Sequence, residues 1–493
     1  MRTSLVVLFG LAAGTAATIL PGLVTDTGVR GGRAAAGRTP ITMAVWGMPF
    51  EDRLFRDQYA RGYERIAPVQ VDYQRHPDIF AKYNAWHAKG EGIEVMRLGI
   101  DYYRQFVERR MLEPLTPYIN DGRFGLPSLD RFPQRLIDEL MVDGVLYALP
   151  EDNAMYGLYF NRTLFDEYNA ANPDSPLTYP SEHWTWQDVR DAARKLTGPR
   201  RTLFGPSTSN PDAVIAGFDL EIWSWPFFNF FAQAGGQLWS EDQLTTYIDQ
   251  QAGVDALLFL RDLIVDGSWR PSFGQEGGTG PTVFFPAGRV AMLYGGSWLV
   301  PKFENDNPNF DFVVVPVPRG RVPAVVTGAV LWGMSTNAKN KTAGWSMISW
   351  LVEDAQAEAY WDRLRVAPPA NLNVLHSSAY RSTRGLESET RPGTYEIQPM
   401  PESKFEDRAA WTLYTWEIDE QIGRAPGWIA TGLYQDKLQS EIHSLLQEYL
   451  RQPGTVGGGN GVDPQVVLRR AASAVHAHID ADRAAKGLPP AKR

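Results

Sequence analysis

Val142-Asp143-Gly144-Val145-Leu146-Tyr147-Ala148-Leu149-Pro150-Glu151-Asp152-Asn153-Ala154-Met155-Tyr156-Gly157-Leu158-Tyr159-Phe160-Asn161-Arg162-Thr163-Leu164-Phe165 is the stretch on which the fold turns. Asp143-Gly144 reads as a tight turn, because both residue types tolerate the backbone angles such turns need. A short strand follows, then a corner ended by Pro150 and a polar tip at Glu151-Asp152-Asn153. Beyond the tip a second strand, rich in aromatic residues, runs into a helix.

Upstream, Ile41-Thr42-Met43-Ala44-Val45-Trp46 reads as the first strand, and Phe55, Tyr59, Tyr63 and Ile66 share one face of a helix. Val69, Val71 and Tyr73 then alternate as the next strand, which makes a βαβ opening. Leu98-Gly99-Ile100-Asp101 leads to a helix bearing Tyr103, Phe106 and Val107, and to Met111-Leu112-Glu113-Pro114-Leu115. Downstream, Thr185 and Asp188 form a capping pair ahead of Trp186, Val189, Ala193 and Leu196. Leu257, Leu260 and Ile264 mark another helix, and Phe312 to Val315 a buried strand closed by Pro316. Trp345, Ile348, Val352, Ala355 and Ala359 fall on one helical face, with Asn340 as its N-cap. Two late helices carry Leu438, Ile442, Leu445, Leu446 and Tyr449, then Leu468, Ala471, Ala472, Val475 and Ile479, with a glycine joint at Gly457 to Gly459. Strand and helix alternate through most of the length, which predicts two α/β lobes.

With 493 residues the chain exceeds one ordinary domain, and 44% hydrophobic content supplies sizeable cores. A formal net charge of −9 argues against a nucleic-acid or anionic-membrane surface. Sixteen Trp, twenty Tyr and twenty-three Phe are enough to fill a core and still leave rings for a cleft, where they suit the flat apolar faces of sugars. Met1-Arg2, an apolar stretch from Leu5 to Leu20 and an Ala-rich tail through Ala36 read as a secretion signal, with an uncleaved anchor as the alternative. Cysteine is absent, which excludes disulfides, thiolate metal sites, Cys nucleophiles and a lipidated Cys. Seven His form no ligand cluster, and neither a Gly-x-Ser-x-Gly elbow nor a phosphate loop occurs.

Several segments are more specific than composition. Trp184-Thr185-Trp186 opens a helix, and Phe285-Pro286-Ala287-Gly288-Arg289-Val290-Ala291-Met292-Leu293-Tyr294-Gly295-Gly296-Ser297-Trp298 joins a helix, a strand, a Gly pair and a Trp. Together with the 142–165 run and Leu112-Glu113-Pro114-Leu115, they resemble the family-1 extracellular solute-binding proteins, the sugar-binding components of ABC importers. The resemblance extends over about residues 40–450. It implies an α/β, two-lobed periplasmic-binding-protein-like fold of type II, the Venus flytrap, with a hinge of crossover strands. Residues 1–38 would be signal peptide and spacer, 39–154 plus 324–366 the first lobe, and 155–323 plus 367–493 the second. The expected protein is a secreted, periplasmic or cell-surface monomer without cofactor that captures a sugar or oligosaccharide and hands it to the permease's transmembrane subunits.

Candidate contacts follow from chemistry and resemblance together. Trp46 and Met48 stand at the end of the first strand, where open α/β sheets place ligands, although a Trp there also suits a core. Asp152 and Asn153 can hold adjacent hydroxyls, or simply form a solvated turn. In the aromatic block Trp223-Ser224-Trp225-Pro226-Phe227-Phe228-Asn229-Phe230-Phe231, Trp225 and Asn229 are the candidates. The resemblance assigns Trp298 to sugar stacking. Gly328, before a returning strand, would let backbone approach the ligand, and Arg365 would clamp an anionic or vicinal-diol group or form a structural ion pair. The rival reading is a secreted glycoside hydrolase, which needs two carboxylates about 5–10 Å apart.

Overall fold

The computed structural model describes residues 37–121, 126, 128–271, 280–378, 380, 386–387, 395–397, 432–450 and 462–493. The expected signal segment, the Gly457–Gly459 joint and most of 380–410 lie outside them.

The βαβ opening is present. Strands β1 (Thr39–Val45), β2 (Val69–Arg75) and β3 (Val95–Gly99) run parallel, with Met43 beside both Tyr73 and Val95. Met43, Ala44 and Val45, like every residue of β3, are buried, as befits strands covered on both faces. Between β1 and β2 the chain is wound wide over Arg53–Ala60 before an ordinary helix at Arg61–Ile66. The wide winding keeps Phe55, Tyr59 and Tyr63, four residues apart, on one buried face. Ile66, three residues further, turns outward and is 48% exposed, contrary to expectation.

The decisive stretch departs from its reading at the polar tip. Asp143 (φ 51°) and Gly144 (φ 77°) do form the turn, joining β4 (Met141–Val142) to β5 (Val145–Leu146). Pro150-Glu151-Asp152-Asn153, however, is no corner: it lies within β6 (Ala148–Ala154), buried along its length up to Asn153. Pro150 is accommodated because the pairing of β6 with the later strand β12 (Gly328–Gly333) shifts register beside it, between Val330 and Leu331. The first sheet has the order β2-β1-β3-β12-β6.

After Met155 the chain enters β7 (Tyr156–Asn161), which belongs to a second sheet. Its other strands are β8 (Gly198–Pro199), β9 (Val214–Leu220), β10 (Val290–Gly296) and β11 (Phe312–Val315), in the order β11-β7-β10-β9-β8. The molecule is therefore two-lobed, and residue 155 is one crossing. The chain returns between β11 and β12, and a third stretch lies along the first crossing, where Asn153 N donates to Pro368 O (3.0 Å) and Ala370 N to Glu151 O (3.0 Å).

Thr185 and Asp188 form the expected capping box on helix Trp186–Lys195. The single helix expected over Trp345 to Ala359 is two, Lys341–Leu351 and Asp354–Leu364, broken where Glu353 is extended, and Ala355 is exposed. Asn340 stands at the first N-cap position, but its amide donates to Pro40 O (2.7 Å) instead of capping. The late helices Gln435–Tyr449 and Pro464–Ala485 pack on each other and on helices Ser224–Gln233 and Gln251–Val265 of the second lobe. No helix among the described residues is long and apolar enough to cross a membrane.

Candidate binding cleft

A cavity of about 640 Å³ opens between the two sheets. Each wall follows from where its strands end. At the end of β1, Gly47 (φ 155°) turns the chain back over Glu51, whose carboxylate accepts from Met48 N and would meet a Cβ on Gly47 at 2.6 Å. Trp46 and Met48 are thereby held at the cavity surface. Phe80, 6.0 Å from Trp46 between ring centroids, and Tyr102, stacked on Phe80 at 3.9 Å, extend this wall.

The opposite wall is also aromatic. Tyr156 starts β7, Trp223 and Trp225 open helix Ser224–Gln233, and Trp298 caps helix Leu299–Asp306. Trp298 lies 5.5 Å from Tyr156, near-perpendicular at 81°, and 6.4 Å from Trp223, while Trp223 and Trp225 are 6.4 Å apart. Trp298 is set by the Gly pair before it, since a Cβ on Gly296 would lie 2.2 Å from the indole. The rings so arranged offer apolar faces to a flat ligand, and two polar atoms among them, Trp46 Nε1 and the Tyr156 hydroxyl, are buried without a hydrogen-bond partner in the described structure.

The floor is charged. Arg97 on β3 is 1% exposed; its Nε donates to Glu151 (2.7 Å), Nη1 to Trp46 O (2.7 Å) and Glu51 (3.4 Å), and Nη2 to the Tyr360 hydroxyl (3.3 Å). Asp152 lies 4.0 Å from Nη2 and accepts from Tyr360 (2.7 Å) and Val330 N (3.2 Å). Three carboxyls thus surround one guanidinium, which also sits 5.0 Å from the Trp46 ring centroid and 4.6 Å from that of Phe55. Burial raises Glu51 and Asp152 against the pull of Arg97, and pushes Glu151 up to about 8, with Asp152 adding to the rise. Burial thus favours protons on these acids while Arg97 favours their ionised forms.

The cavity brings together Trp46, Met48, Asp152, Trp225, Trp298 and Gly328 of the residues singled out from sequence. Three others lie outside its lining. Asn229 is fully buried and completes backbone, accepting from Val326 N (2.8 Å) and donating to Trp225 O (3.2 Å). Arg365, 2% exposed, ends helix Asp354–Leu364 in a left-handed conformation (φ 53°) and pairs with Glu304 at 3.0 Å, so its structural alternative holds. Asn153 is buried in β6, its side chain on neither wall. Sequence reading passed over Tyr156, Trp223, Glu221, Asp101, Phe80, Tyr102 and the Arg97–Glu51 pair. Trp223 stood in the quoted aromatic block and carried a signal; Arg97 and Glu51 carried none, since only the fold brings them together.

The match that decides the family is a model described as bacterial extracellular solute-binding protein, over residues 63–358. The chain belongs to that family. Among curated relatives of this solute-binding protein, a Brucella abortus binding protein is 23% identical over 270 residues, 54% of this chain and 59% of the relative. The maltotriose-binding protein of Pyrococcus abyssi is 20% identical over 324 residues, 62% of this chain and 61% of its own. The chain thus spans about six tenths of the length of these curated relatives. In fold, the solute-binding protein is similar to a Listeria monocytogenes ABC substrate-binding protein solved with cycloalternan, with a TM-score of 0.69, 20% identity and coverage of 92% of this chain and 100% of that one. The GacH receptor of Streptomyces glaucescens, solved unliganded and with acarbose, gives a TM-score of 0.67 at 18% identity, covering 90% and 98%.

Proposed function

We propose that this solute-binding protein is the extracytoplasmic capture subunit of an ABC importer, taking a sugar or oligosaccharide between its lobes and delivering it to the transmembrane permease subunits. The observation that carries the reading is the pairing of two aromatic walls, Trp46-Phe80-Tyr102 and Tyr156-Trp223-Trp225-Trp298, across one cavity. Pyranose rings present C–H faces that such walls cover and hydroxyls that Asp152, Trp46 Nε1 and Tyr156 can meet. Relatives whose names or bound molecules are carbohydrates support the same chemistry. The N-terminal signal-like segment fits delivery outside the cytoplasm.

The walls come from different lobes, so a ligand held on one gains contacts when the other closes. Closure follows only if those added contacts outweigh its intrinsic cost. Binding without turnover is the expected behaviour, and the rival hydrolase draws no support from the family or the relatives. The test is a thermal-shift and small-angle scattering series with maltose, maltotriose, cellotriose and glucose, assayed in the same wells for reducing-end release. A raised melting temperature with a smaller radius of gyration and no new reducing ends is expected. Absence of any response, or release of product, overturns the reading.

A further inference from the structure

Four carboxyl side chains, Glu51, Asp101, Asp152 and Glu221, and one guanidinium, Arg97, line the cavity. Arg97 is already engaged by Glu151 and Glu51 and approached by Asp152, so the floor offers a ligand no free positive charge. Two carboxylates remain, one on each wall. Asp101 sits in the first turn of helix Ile100–Glu108, where its carboxyl accepts from the backbone of that turn, at Asp101 and Tyr102, and at 3.4 Å from Gln439. Glu221 directly follows β9, two residues before Trp223, and no side chain among the described residues hydrogen-bonds it. It is half-buried and lines the same cavity as Tyr156, Trp223, Trp225 and Trp298. An acid ringed by aromatic faces is a cation site in chemical terms, because the ring quadrupoles and the carboxylate attract the same charge. The Tyr156 hydroxyl on the same wall is buried with no hydrogen-bond partner among the described residues and can take a further polar contact.

We propose that the cleft is built for a carbohydrate bearing a protonated amine, an amino sugar or an oligosaccharide containing one, with the ammonium held at Glu221 among the tryptophans and Asp101 adding to the field from the other wall. The proposal rests on the carbohydrate-capture reading and narrows its ligand. A neutral sugar would leave two desolvated carboxylates with hydroxyl donors alone, whereas an ammonium supplies charge-assisted bonds and cancels a charge as the lobes close. The charged groups facing the two acids are few. Lys302 lies near Glu221 but is bonded to Asp306 within its own helix, Asp219 and Tyr156 also face Glu221, and Asp436 and Tyr102 face Asp101. Burial raises Glu221 and pushes Asp101 up to about 6, so Asp101 loses its proton as pH climbs toward neutrality. Amine binding therefore strengthens over that interval, while neutral-sugar binding does not.

The test is titration calorimetry on the whole chain with matched pairs, glucosamine against glucose and the glucosamine trimer against cellotriose, with maltotriose as a further neutral probe. The expected result is that the amine member binds at least about tenfold tighter, that the ratio widens from about pH 5 to pH 7, and that Glu221→Gln collapses the ratio. A neutral member binding as tightly as its amine counterpart, or maltotriose binding tighter than either amine, overturns the amine assignment and leaves carbohydrate capture standing. No heat with any sugar overturns both.

Discussion

The indole of Trp298 stands edge-on to the ring of Tyr156, centroids 5.5 Å apart and planes at 81°. Tyr156 is the first residue of the strand after the crossing and Trp298 the cap of a helix 142 positions later, so one contact ties the hinge to the cleft wall. If Trp298 is the sugar-stacking ring, Trp298→Ala removes a large apolar face from the site. Loss of affinity on the order of 2–3 kcal/mol is expected for the tightest-binding sugar, read by calorimetry. Trp298→Phe should recover part of it. Unchanged affinity in the alanine variant would remove Trp298 from the site.

Gly296 offers a subtler perturbation of the same ring. A methyl there would lie 2.2 Å from Trp298 and must push the indole aside. Gly296→Ala is expected to cost about 1–3 kcal/mol of stability by overpacking. It should also weaken sugar binding, yet add little to the binding loss in a Trp298→Ala background, because the ring it displaces is then gone. Additive losses in the double variant would show that Gly296 acts by another route.

What the sequence made legible was local. Strand and helix alternation, the Asp143-Gly144 turn, the Thr185 capping box and the Gly-Gly-x-Trp motif all depend on residues a few positions apart, and all are present. The misreadings share one cause, partners far along the chain. Glu151 and Asp152 look like a solvated tip until Arg97, 54 residues away, and Tyr360, 208 residues away, make a buried strand tenable there. Asn229 looked ligand-facing because polarity stands out in an aromatic helix, but its partner is the backbone of Val326. Arg365 is open in the sequence between a ligand clamp and a structural ion pair, and only the fold supplies Glu304 as its partner.

The Arg97 cluster makes a prediction of its own. Removing the guanidinium leaves Glu51, Glu151 and Asp152 buried with no positive charge beside them. Arg97→Met is expected to destabilise the first lobe by about 3–5 kcal/mol near neutral pH, measured by urea unfolding. The penalty should shrink at pH 5, where protons can neutralise the orphaned acids. Equal penalties at both pH values would mean that the cluster's charge is not what Arg97 offsets.

Stability of the unaltered chain should itself depend on pH with an unusual sign. Burial raises Asp101 to about 6, Asp219 to about 7 and Glu151 to about 8. A carboxyl whose pKa rises on folding binds its proton more tightly in the native state. Its contribution is complete below the ordinary carboxylate range and drains away as pH climbs through the raised value. Opposing this, Asp266, despite its partial burial, is held low by Arg190 and Arg194, so its contribution appears above the ordinary range and is lost in acid. The two trends cross in the ordinary carboxylate range, about pH 4, where apparent melting temperature should peak, falling by a few degrees toward pH 8 in scanning fluorimetry at constant ionic strength. Asp219, tied to Trp269 Nε1 at 2.8 Å and absent from the cavity lining, faces Glu221 within that lining, so a neutral sugar is the probe that separates folding from ligand effects. Asp219→Asn should flatten part of the decline without altering neutral-sugar affinity, and a melting temperature that rises from pH 5 to pH 8 would show these buried acids to be ionised and otherwise compensated.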